Sequence, residues 1–217
     1  MKIYMIPGLA ADKRVFRHIH LPEGFEQVYL DWIEPLQNEK LRDYAYRMAE
    51  QIPTGEPFIL AGLSFGGMLA VEIAKKYHPL KTILIASIPH HTHLPGYYRK
   101  AWQMGIHKIV TPALIKNGVL IKRLLVAEDS DDKEIIKQMA YDMDANFVKW
   151  AMQAIVEWKS EGEIPELVHI HGTADRILPY QYTKPSFPIL KGGHLMIFDR
   201  AREINEILEQ VLTAQAS

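Results

Sequence analysis

Six short strand-like runs punctuate this 217-residue chain: Lys2–Ile6, Glu26–Leu30, Phe58–Ala61, Lys81–Ala86, Leu167–Ile170 and Phe187–Leu190. Several are almost wholly apolar, as strands buried on both faces must be. Helical patterns lie between them. Leu41, Tyr44, Ala45, Met48 and Ile52 recur at helical spacing, as do Ile204, Ile207, Leu208, Val211 and Leu212 behind a candidate N-cap at Asp199. Across Phe65–Tyr77 the charges Glu72, Lys75 and Lys76 share one face and leave the rest for burial. Strand alternating with helix predicts an α/β fold with a mostly parallel sheet. The length and the 48% hydrophobic content suit one domain over residues 1–217.

One interval breaks the rhythm. The fourth and fifth strands lie about eighty residues apart, whereas a crossover needs only roughly a dozen. The interval holds Trp102, Trp150 and Trp158, together with Met104, Met139, Met143 and Met152. Helical stretches show at Glu134–Met143 and Asn146–Trp158. It reads as a helical lid inserted over residues 88–163, the alternative being a second helical layer with its own core.

Charge and cysteine content exclude several classes. A net charge of −1 offers no broad basic surface, so neither nucleic acid nor an anionic membrane is an expected partner. With no cysteine there is no disulfide, thiol nucleophile or thiolate metal site. MKIYMIPGLAAD breaks at Pro7-Gly8, short of a signal-peptide core, and no run approaches the ~18 apolar residues of a membrane span. The expectation is a cytoplasmic protein with a small-molecule partner; the oligomeric state stays open.

The stretch AGLSFGGML, residues 61–69, sets a serine among glycines. By composition alone, Gly-x-Ser-x-Gly arises in roughly one such chain in fifty, so context carries the reading. PFIL ahead of it reads as a strand and a helix-period segment follows. In that setting a serine projects from a sharp turn. Ser64 is then a candidate nucleophile, and the Phe65 N–H, at a helix N-terminus, a candidate oxyanion donor. The plainer reading is an ordinary turn serine. A nucleophilic serine needs a base, and the base an orienting acid. His194, in LKGGHLMIF, follows the last strand, with Gly192-Gly193 read as the turn that presents it. Asp175, in HIHGTADRILP, follows the fifth strand. All three lie just past C-terminal strand ends, where open α/β sheets bind ligands. Asp199 is the rival acid, but its position suits a helix N-cap better.

GLSFGG, HGTAD and the GGH ahead of a final amphipathic helix resemble the motifs of the α/β-hydrolase superfamily, across nearly the whole chain outside the inserted interval. The order Ser64, Asp175, His194 is the family's triad order. The resemblance implies a sheet that begins at the family's third strand: six strands in order 2-1-3-4-5-6, flanked by helices, with the lid after the fourth. That order sets the first and third strands side by side, so the loop IPGLAADKRVF faces Ser64. In the family this loop gives the second oxyanion N–H, often within a His-Gly pair. Here Pro7 stands where that histidine would be, Gly8 remains, and Leu9 N–H is the implied donor.

The implied activity is serine hydrolysis of an ester, or a thioester, of a small and largely apolar substrate through an acyl-enzyme, with no cofactor and no metal. The run GLSFGGMLAVEIAKKY is also similar to plant methylesterases and hydroxynitrile lyases of the same superfamily. The lyases use a lysine just after the catalytic histidine, where this chain has Leu195. A lyase or C–C bond hydrolase of the superfamily, and a non-catalytic small-molecule receptor, are the alternatives.

Tyr97, Tyr98 and Trp102 follow the fourth strand most closely and are the expected substrate-pocket residues. His90, His91 and His93 in SIPHHTHLPG look like a metal cluster, but no carboxylate stands near them in sequence, and they read as lining the pocket mouth. His169 reads as a packed or hydrogen-bonded strand histidine, Glu128–Asp132 as a solvated helix start, and Arg14 as a surface residue rather than a carboxylate clamp.

Overall fold

The computed structural model describes residues 1–53, 55–105 and 130–214. The strands are β1 (Lys2–Ile6), β2 (Glu26–Tyr29), β3 (Phe58–Leu63), β4 (Lys81–Ile85), β5 (Leu167–Gly172) and β6 (Phe187–Ile189). They form one sheet in the order β2-β1-β3-β4-β5-β6, with every pairing parallel. This is the expected order. β3 and β5 run two residues past their expected ends because their neighbours carry the ladder on. Ile6 pairs with Gly62, Leu63 with Ile85, and Gly172 with Ile189.

The described helices are α1 (Leu41–Met48), α2 (Phe65–Tyr77), α3 (Gly96–Gln103), α4 (Ser130–Asp142), α5 (Ala145–Glu157), α6 (Met196–Asp199) and α7 (Ala201–Thr213). Strand residues alternate between two cores. Ile3, Met5, Ile59, Ile83, Ile85 and Ile170 face a core closed by Ile204, Leu208, Val211 and Leu212 of α7. Tyr4, Ile6, Leu60 and Leu84 face the other, with Leu41, Tyr44 and Met48 of α1 and Leu69 and Ile73 of α2. Each fully buried large side chain contributes about 1.5–3 kcal/mol. The sheet is thus held from both sides.

Helices α3–α5 lie between β4 and β5. Ile136, Met139 and Ala140 of α4 join the α7-side core, while Phe147, Ala151 and Ala154 of α5, with Trp158, join the other. Residues 106–129 of the expected inserted segment lie outside the described residues.

Three local readings change. Glu72 does not sit on an exposed face: it is buried and accepts the Trp158 Nε1–H at 2.8 Å, because the segment after α5 covers α2 there. Asp199 is not the N-cap of α7. It ends α6, and the chain passes straight into α7 through Arg200, whose N–H bonds Met196 O at 2.8 Å and whose side chain makes no capping bond. Asp132 is not solvated: it is buried in the first turn of α4, against His18 Nε2 at 2.9 Å and Arg17 at 3.4 Å. No helix among the described residues is long and apolar enough to cross a membrane.

Candidate active site

Ser64 links β3 to α2 with φ 51° and ψ −116°. Such a backbone costs an L-residue about 1–3 kcal/mol and must be held by its surroundings. The glycines permit it by close approach. A Cβ on Gly62 would lie 2.4 Å from Gly66 O, one on Gly66 2.3 Å from both Ile6 O and Pro7 O, and one on Gly67 2.4 Å from Ser87 Oγ. From the β4 side, Ile85 O accepts the Ser64 N–H at 3.0 Å, and Ser87 Oγ–H donates to Ser64 O at 2.6 Å.

The structure brings Ser64, His194 and Asp175 together. Ser64 Oγ lies 2.9 Å from His194 Nε2, and His194 Nδ1 lies 2.7 Å from Asp175 Oδ2. The other carboxylate oxygen accepts the N–H groups of Ile177 at 2.8 Å and Leu178 at 2.9 Å. Both oxygens are therefore fixed. Burial pushes the Asp175 carboxyl up, but the attraction and hydrogen bond of His194, aided by Leu178 N–H, outweigh it and hold the group below the ordinary carboxylate range. A charged Asp175 accepts Nδ1–H and leaves Nε2 free to take a proton from Ser64.

The loop that presents His194 turns differently from expectation. Its left-handed residue is Lys191, at φ 59°, rather than a glycine of the Gly192-Gly193 pair. Glycine matters there for contact: a Cβ on Gly172 would lie 2.2 Å from Gly192 O. That approach laces the acid and base loops together, with Ala174 N–H on Gly192 O and Thr173 N–H on Ile189 O, each at 2.9 Å.

The loop after β1 lies against Ser64: a Cβ on Gly8 would be 3.4 Å from Ser64 Cβ. Leu9 follows Gly8, and Phe65 opens α2. Neither amide N–H has a protein acceptor among the described residues.

Of the expected pocket residues, Tyr98 donates its hydroxyl to Ile177 O at 2.8 Å, on the acid loop. Tyr97 is half exposed with its ring 4.8 Å from that of Tyr98, and Trp102 lies further along the same helix. His90 Nδ1 meets Thr92 Oγ1 at 2.8 Å, and His91 Nδ1 meets the Ser160 backbone. No group of three histidine or carboxylate side chains among the described residues converges as a metal site. His169 Nε2 bonds Ser87 O at 2.9 Å, and burial pushes that imidazole down to about 3. Arg14 pairs with Asp12 and Asp142, each at 2.6 Å.

Sequence reasoning missed Ser87, His171 and Trp32. Ser87 directly follows the expected end of β4, a signal that could have flagged it. His171 Nε2 stands 3.5 Å from Asp175 Oδ2, and its spacing four residues before the acid was a usable hint. Trp32, whose Nε1–H reaches Ala11 O at 2.8 Å, carries no sequence signal.

A family model described as "Alpha/beta hydrolase family" matches residues 3–207. No curated protein matches by sequence. Among solved structures, MenH from S. aureus superposes with a TM-score of 0.72 at 13% identity, covering 100% of this chain and 95% of that one. A thermophilic esterase gives 0.70 at 15% identity over 98% and 89% of the two chains. The thioesterase RedJ, from the prodiginine pathway of Streptomyces coelicolor, gives 0.65 at 15% identity over 96% and 89%.

Proposed function

The chain belongs to the alpha/beta hydrolase family, and on that footing we propose that it is a serine hydrolase cleaving an ester or thioester of a small, largely apolar substrate. The observation that carries this reading is the line from Ser64 Oγ through His194 to Asp175, at 2.9 and 2.7 Å. In this mechanism His194 Nε2 takes the Ser64 proton as Oγ attacks the acyl carbonyl. The N–H groups of Leu9 and Phe65 receive the oxyanion, whose charge they stabilise more than that of the ground-state carbonyl. The imidazolium, held by Asp175, then protonates the departing alcohol or thiol. Water enters, loses a proton to His194 and attacks the acyl-enzyme. The acid leaves and Ser64 recovers its proton.

The segment between β4 and β5 acts in this reading as a lid that supplies an apolar wall and excludes water. Esterases and thioesterases among the fold's neighbours set the range of leaving groups to try. The test is a panel of esters, thioesters and amides with varied acyl length, run beside labelling with a fluorophosphonate. Turnover of esters or thioesters, with label on Ser64 that blocks it, is the expected result. Stoichiometric ligand binding without turnover would favour the receptor reading instead.

A further inference from the structure

We propose that Trp32 is a positioning residue of the oxyanion site, joining the two backbone segments that carry the Leu9 and Phe65 N–H groups. The inference rests on the serine-hydrolase reading above. Leu9 belongs to a tight turn closed by Ala11 N–H on Gly8 O at 3.1 Å. That turn holds Ala10 at φ 60°, a left-handed conformation that costs a residue with a Cβ about 1–2 kcal/mol. It needs an external hold. Trp32 supplies one: its Nε1–H donates to Ala11 O at 2.8 Å.

The same indole lies over Phe65, ring centroids 5.8 Å apart and planes 24° from parallel. Phe65 is the residue after Ser64, and its ring is buried beneath the elbow. One side chain therefore touches both the turn behind Leu9 and the residue that opens α2. Trp32 is itself fixed. Its ring lies 5.0 Å from that of Phe147 on α5, and the next residue, Ile33, exchanges hydrogen bonds with the Tyr44 hydroxyl at 3.1 and 3.0 Å. Two donors aimed at one oxygen work only if their separation is set before the reaction. A half-buried indole spanning both segments sets it.

The test compares Trp32→Phe, which keeps a ring on Phe65 and loses the donor, with Trp32→Gln, which keeps a donor and loses the ring. Each is assayed on p-nitrophenyl butyrate, with kcat counted per fluorophosphonate-labelled site so that misfolded protein drops out. Affinity for a boronic acid, whose tetrahedral adduct carries the oxyanion, is measured alongside. The expected result is a fall in kcat per site of about fivefold or more in both variants, a parallel loss of boronic-acid affinity, and little change in KM. A smaller fall in kcat per site, or unchanged boronic-acid affinity, overturns the inference. If Ser64→Ala keeps full turnover, the serine reading falls and takes this inference with it. If Ser64→Ala is dead while Trp32→Phe and Trp32→Gln turn over like the wild type, only this inference falls.

Discussion

His171 Nε2 lies 2.7 Å from Leu178 O and 3.5 Å from Asp175 Oδ2, in a site closed to solvent. Burial pushes the His171 imidazole down, with partial offset from Asp175. The ring is therefore neutral, and its single N–H goes to Leu178 O. Leu178 N–H in turn holds Asp175, so His171 straps the acid loop from behind. His171→Phe removes the donor and leaves a buried carbonyl unpaired, at a cost of about 1–3 kcal/mol. Urea denaturation should show that loss, and kcat should fall with it. Unchanged stability would mean that the strap is idle.

The three candidate catalytic side chains should fail as a unit. Ser64→Ala and His194→Ala should each remove nearly all turnover, because members of such a relay are strongly non-additive. Asp175→Asn should cost less than Ser64→Ala but still orders of magnitude, by favouring the wrong imidazole tautomer. Asp199→Asn is the control, since Asp199 ends α6 whereas Asp175 bonds His194 directly. Steady-state kinetics on one ester decide the matter. A silent Asp175→Asn beside a crippled Asp199→Asn would exchange the two acids.

Acid should destabilise the fold well before the carboxylates protonate. His169 is pushed down to about 3 by burial, while an exposed histidine titrates near 6.5. Between those values the unfolded chain binds a proton that the native one does not. Stability therefore rises with pH across that window, by about 1.4 kcal/mol per unit for one such group. It is fully present above roughly 6.5 and drains away as pH falls toward 3. Asp175, held low, adds its own loss only below the unfolded carboxylate value of about 3.9. Urea midpoints at pH 7, 6, 5 and 4 should trace the slope. His169→Gln, which can still donate to Ser87 O, should flatten it by about one proton; parallel slopes would refute the assignment.

What could be read from the sequence follows how local each signal is. The apolar runs around Ile3, Ile59 and Ile83 declare strands buried on both faces, and the glycines around Ser64 declare a sharp turn, because both patterns repeat over a few residues. The nucleophile Ser64 and the base His194, 130 residues apart, could be paired only through their places just past strand ends and through family order. Where contacts between distant segments decide, local pattern misleads. Glu72 looks like part of a polar face until Trp158 covers it. Gly192 looks like the flexible residue of its turn, yet Lys191 takes the left-handed angle and the glycine of the pair in contact, Gly172, clears a backbone from another strand end. Trp32 gives no signal in the sequence because its partners, Ala11 and Phe65, belong to other strands' exits.

Tyr98 ties helix α3 to the acid loop, and its two halves should separate in function. Its hydroxyl donates to Ile177 O at 2.8 Å, and its half-buried side chain, like those of Leu9, Trp32 and Ile177, packs against the margin of the core on the α1–α2 side. If this margin forms the acyl wall, each added methylene that it covers gains up to about 0.8 kcal/mol, or roughly fourfold in affinity. kcat/KM should therefore climb from acetyl toward about hexanoyl esters and level when the space is filled. Tyr98→Phe keeps the wall and loses the tie: the chain-length preference should persist while kcat drops for every ester alike. Tyr98→Ala loses both, and the preference should flatten as well. Tyr97→Ala and Trp102→Ala, on the same helix, measure how far the wall extends. The readout is kcat/KM across a series of p-nitrophenyl esters, with melting temperatures to separate unfolding from selectivity. If acetyl esters are best and Tyr98→Ala leaves the series unchanged, α3 covers the site without shaping it, and the substrate is small or polar.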